Sequence, residues 1–163
     1  MSLAATAPSL EQKVWHYIDH KLGTRRAEFG NQPICPYVKR YRDSIVVKTA
    51  HTSVYEILEW GMRNFKSSDV CWVYAFERNQ VPSSLMCETM CDSFAQQYYL
   101  NGATLLFDHP IDIEPINGVY TGFGEGALLI IQNTTILQNH RHKLFKTSYY
   151  AGWTDEQKRE LVD

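Results

Sequence analysis

Apolar residues first recur at helical spacing over Leu10, Val14, Tyr17 and Ile18. This pattern predicts an amphipathic helix, begun by Ser9 as N-cap and stopped at Gly23. A polar, irregular stretch with Pro33 and Pro36 follows, and then the β-branched segment 44–50, SIVVKTA, which reads as a strand. Ser53 and Glu56 carry the spacing of a capping box, ahead of Val54, Ile57, Leu58, Met62 and Phe65 on one helical stripe. The almost unbroken apolar run 70–76, VCWVYAF, predicts a strand covered on both faces. A third helix runs from Pro82 and Ser83 or Ser84 to Asn101-Gly102, with a third strand, ATLLF, directly after it. Residues 108–126 are irregular and Gly-rich, and ALLIIQ (127–132) predicts a fourth strand. The stretch TTILQNHRHKLFKTSYY (134–150) has helical character, and Thr154 with Gln157 caps a final short turn.

Strand, helix, strand, helix, strand is the order of a parallel unit built from crossover helices. The expected fold is therefore α/β (α+β if the last strand reverses). It is a single-domain, short, mostly parallel sheet of about four strands with helices packed on it. The 163 residues make one domain, 1–163, large enough to bury a core, with 1–8 as a flexible leader.

A net charge of -2 and a pI of about 6.3 give no basic surplus for a nucleic-acid partner. No apolar run reaches the roughly 18 residues of a membrane span, and MSLAATAPSLEQK lacks the plan of a secretory signal. Four cysteines without such a signal point to reduced thiols and a cytoplasmic location. One local exception is RRAEFGNQPICPYVKRYR, where Arg and Lys alternate with Phe29, Tyr37 and Tyr41. With the aromatic tail residues Tyr149, Tyr150 and Trp153, it could form a partner surface or a homo-oligomer contact.

Candidate chemistry is sparse. The pair Cys87 and Cys91 in CETMC replaces small apolar residues on the core stripe of the third helix, so packing outweighs metal or redox chemistry. Cys35 stands apart, in a loop near Arg25, Arg26, Lys39, Arg40 and Arg42, where cations would favour a thiolate. His16 and His20 share a helix face that also carries Lys13, and helical spacing separates His140 from His142. Ligands of parallel sheets bind beyond the carboxyl ends of the strands. Just past those ends stand His51, then Glu77 and Arg78, then Asp108 and His109. If they converge, His51, Glu77, Asp108 and His109 would serve as acid/base groups or as ligands of a divalent metal. Arg78, Tyr120 and Cys35 would then contact a small-molecule ligand, with Arg78 holding an anionic group. No hydrolase, zinc-protease, phosphate-loop or dinucleotide motif is present. Two functions remain open: a small ligand-binding domain or enzyme with a polar strand-end site, and an accessory protein binding a partner through 25–42 and the tail.

Overall fold

The computed structural model describes residues 4–161; residues 1–3 of the expected leader lie outside that span, and 4–8 have no regular structure. Helix α1 (Leu10–His16) begins with a reciprocal Ser9–Gln12 capping box and buries Leu10 and Val14. It continues as a π-helical turn over Tyr17–Leu22, closed by the Gly23 N–H donating to the Ile18 carbonyl. Such widened turns cluster at functional sites. A two-residue hairpin follows, β1 (Arg25–Arg26) against β2 (Gln32–Pro33), and then a single turn, α2 (Val38–Tyr41).

The main sheet has strands β3 (Ile45–Thr49), β4 (Cys71–Phe76), β5 (Ala103–Asp108) and β6 (Ala127–Asn133) in the order β3-β4-β6-β5. The expectation of a mostly parallel sheet is corrected here: β3 and β4 pair in parallel, but β6 lies antiparallel between β4 and β5. The physical reason is the long loop after β5, which lets β6 enter beside two partners instead of adding at an edge. β3, β4 and β5 still point the same way, so their carboxyl ends share one edge of the sheet.

Strand alternation sends the two sets of side chains to different layers. Trp72, Tyr74, Phe76, Leu129 and Ile131 meet α3 (Val54–Asn64) and α4 (Ser84–Leu100). Cys71, Val73, Ala75 and Leu128 meet α1. Local signals behave as the chain suggests: Ser53 caps α3 through the Glu56 N–H and Ser83 caps α4, although the Glu56 side chain does not complete its box. On α4, Cys87 is 1% exposed and Cys91 packs partly buried against the core. Helix α5 (Thr134–Phe145) stops five residues short of the helical stretch expected to reach 150. The chain then turns so that Tyr149 and Tyr150 pack on Phe29, with Trp153 beside them, before α6 (Asp155–Arg159). No helix among the described residues is long and apolar enough to cross a membrane.

Candidate functional site

Three segments remote in sequence cover the same sheet face. The π-helical end of α1 supplies Tyr17 and Leu22, the stretch after β2 supplies Ile34 to Tyr37, and α5 supplies Leu137, His140, Arg141 and Leu144. Beneath them lie Leu106 of β5 with Ile130 and Gln132 of β6, and the aromatic tail closes one end. A cavity of about 250 Å³ remains between these walls. A smaller hollow of about 50 Å³ adjoins it, reaching Cys71 and Val73 and sharing Cys35, Tyr37 and Gln132. Leu106, 52% exposed, marks the open side at the free edge of the sheet.

The walls are apolar in bulk but carry placed polar groups. Tyr17 donates to the Thr121 carbonyl at 2.6 Å, and Tyr149 donates to the carbonyl of Ile34. The phenol of Tyr37 accepts from Gln132 Nε2 at 3.0 Å. Burial drives the phenols of Tyr17, Tyr37, Tyr149 and Tyr150 upward, so all four stay neutral. The His140 ring sits 5.3 Å from Tyr37 and 5.6 Å from Tyr41, and burial with nearby Lys143 and Arg40 lowers its proton affinity.

Cys35 belongs to this wall and not to a basic surface. Burial pushes its thiol up to about 11, against the thiolate expected from neighbouring cations, and Cys71 rises to about 12 for the same reason. The cations themselves are engaged elsewhere or exposed. Arg42 makes a two-pronged pair with Asp19 at 2.7 and 3.1 Å, and Arg25, Lys39 and Arg40 face solvent.

At the strand-end edge a second group adjoins the cavity through Tyr17 and Thr121. Asp108 accepts from the Phe123 N–H at 2.8 Å, and Lys21 donates to the Gly122 carbonyl at 2.8 Å with its ammonium 4.4 Å above the Tyr120 ring. Burial raises the Asp108 pKa, only partly offset by the Phe123 N–H and Lys21; burial likewise lowers Lys21. A carboxyl raised in the fold stabilises it below the unfolded value near 3.9 and loses that contribution as pH rises through the folded value. Asp108→Asn is therefore expected to raise the melting temperature at pH 7 while leaving it unchanged below pH about 4. Thermal melts between the two pH values check this; a drop at pH 7 would mean that the ionised carboxylate is needed.

Of the other strand-end residues, Arg78 borders this group through the Gly124 carbonyl beside Tyr120, and His51, Glu77 and His109 do not supply free polar groups to it. His51 is exposed beside β3, at the opposite sheet edge from β5, three strand spacings or about 14 Å away. Glu77 is exposed as the cap of a short turn. Arg78 directs both Nε and Nη2 to the Gly124 carbonyl, at 3.3 and 2.9 Å. His109 is buried with both ring nitrogens occupied, Nε2 to the Pro82 carbonyl at 3.0 Å and Nδ1 to the Ile111 N–H at 3.2 Å. Among the described residues, no three His, Cys, Asp or Glu side chains are placed to hold a metal ion. Lys21, Gln132 and Arg141 carry no signal in the sequence, and Tyr37 stands out there only as an aromatic of the basic segment 25–42. Tyr17 read as part of an apolar stripe, and only the register of β6 shows that Gln132 faces inward.

No known family model, curated protein or solved structure matches the chain. Three other surface hollows, of about 380 to 430 Å³, are larger, but this cavity is the one walled by α1, the 34–37 segment, the sheet, α5 and the tail together. Its shape and lining are those of small-molecule sites, mostly apolar with a few fixed polar groups.

Proposed function

We propose that this chain is a small-molecule-binding domain whose ligand occupies the cavity between α1, the 34–37 segment, the sheet face and α5. The observation that carries the reading is the cavity of about 250 Å³ walled by four neutral tyrosines, Cys35 and Gln132. The polar strand-end group of Asp108, Lys21 and Tyr120 forms the neighbouring rim, so the site extends from the carboxyl ends of the strands along the sheet face. Neutral phenols and a high-pKa thiol suit binding and orientation better than nucleophilic attack. Partner binding through 25–42 has less support, because Phe29 is fully buried and Tyr37 walls the cavity.

Indole tests the reading. A dry cavity of about 150 Å³ takes a benzene-sized ring, so indole fits with room to spare. Isothermal titration is expected to give saturable one-site binding. At tenfold excess over Kd, stability should rise by about 1.4 kcal/mol. Leu106→Trp at the open side and Ile130→Phe on the floor should each weaken binding at least about tenfold, or about 1.4 kcal/mol. No saturation up to about 5 mM, weaker than any useful specific affinity, would sink the proposal. So would affinity unchanged in both variants.

A further inference from the structure

We infer that the ligand is a compact hydrophobic monoacid, with an aromatic or aliphatic body in the cavity and its carboxylate held by Arg141. This rests on the small-molecule reading of the cavity and names the class of molecule it takes. The lining contains a guanidinium and no carboxylate. The one hydrogen bond of Arg141 among the described residues is a long one, 3.5 Å from Nη1 to the Leu161 carbonyl, and no described carboxylate lies within 4 Å of it. One further donor on the same walls lacks an acceptor among the described residues: Trp153 Nε1 is shielded from solvent without a partner. An unsatisfied shielded donor is costly, and the half-buried Arg141 guanidinium has no counter-charge among the described residues. Two donor groups, Arg141 on α5 and Trp153 in the tail, with no acidic side chain opposite, call for an acceptor that the ligand brings.

Charge and volume narrow the class. His140 is held toward its neutral form by burial, Lys143 and Arg40, leaving Arg141 as the wall's full positive charge. One cation matches one negative charge, and a guanidinium presents its paired N–H groups in the plane a carboxylate prefers. A phosphate ester would bring a second charge without a partner. A cavity of about 250 Å³ admits one ring with a short side chain, since about 150 Å³ suffices for the ring alone.

The test compares 3-phenylpropionate with 3-phenylpropan-1-ol by isothermal titration, on the natural chain and on Arg141→Met and Arg141→Lys. Charge-assisted hydrogen bonds exceed neutral ones enough to predict about a tenfold preference for the acid. Arg141→Met should remove that preference and leave the alcohol's affinity within about twofold, which also reports an intact cavity. Arg141→Lys should keep part of it. Equal binding of acid and alcohol by the natural chain, or a preference that survives Arg141→Met, overturns the acid assignment while the cavity reading stands. Failure of both compounds and of indole overturns the two together.

Discussion

Phe29→Ala is expected to destabilise the protein by about 3–5 kcal/mol, the usual cost of emptying a buried aromatic site, and to abolish binding in the cavity. Phe29 is completely buried at the centre of a cluster with Val119, Tyr149 and Tyr150, its ring centroid 5.3 Å from Tyr149 and 6.5 Å from Trp153. That cluster is what holds the tail over the cavity. It lies apart from the two larger cores around the sheet, so losing it should free the tail before the sheet unfolds. Urea unfolding, followed both by far-ultraviolet dichroism and by tryptophan fluorescence, would measure the stability. Limited proteolysis within 146–161 would report release of the tail. Tyr99→Ala, at a residue 56% exposed on α4, provides the control and should stay within about 0.5 kcal/mol. Phe29→Ala with full stability and intact indole binding would show that the tail is anchored in some other way.

The second large effect is expected at Gly126, immediately before β6. A methyl group there would lie 2.4 Å from the carbonyl oxygen of Phe76, a backbone atom at the end of the adjacent strand. A flexible side chain could swing aside, but this carbonyl cannot move without opening the β4–β6 ladder where Phe76 pairs with Ala127. Gly126→Ala should therefore cost about 3 kcal/mol, the upper part of the range for overpacking a well-filled interior. Because Leu128 and Asp108 are paired just beyond it, amide exchange should accelerate first at this end of β6 and in the Phe123 N–H held by Asp108. Unchanged exchange there, or a loss below about 1 kcal/mol, would show that the strand entry relaxes at little cost. Gly118→Ala is a useful contrast: nothing crowds that site, and only its left-handed backbone, φ 78°, opposes a side chain.

The strand-end group is partly legible in the sequence. Asp108 and Tyr120 do come together, with Lys21 and Tyr17 added from the first helix. His51 follows an edge strand on the far side, and the ring nitrogens of His109 are taken up by the Pro82 carbonyl ahead of α4 and by the Ile111 N–H in the turn after β5. Asp108 and His109 are adjacent polar residues at the end of the third strand, and the sequence marks both alike as candidates. What separated them was strand alternation, which places Asp108 on the α1 face with Leu106 and turns the ring of His109 toward Pro82. A cysteine among basic residues suggested thiolate chemistry at Cys35, yet burial in the cavity wall outweighs charges that face water.

By itself the sequence determined the four main strands, the helices between them and most of the caps that open those helices. Apolar spacing and the Ser9, Ser53, Ser83 and Thr154 caps depend on contacts within a few residues, and these local signals survive any arrangement of the whole. Tertiary structure alone decided the antiparallel insertion of β6, the cavity and the meeting of Tyr17, Tyr37, Gln132, Arg141 and Tyr149. Those depend on ladders between strands well separated in the chain and on contacts joined across a hundred residues or more, such as Tyr17 to Thr121 and Tyr149 to Ile34. Their energy comes from shared burial, and that is a property of the assembled layers, which no single segment carries.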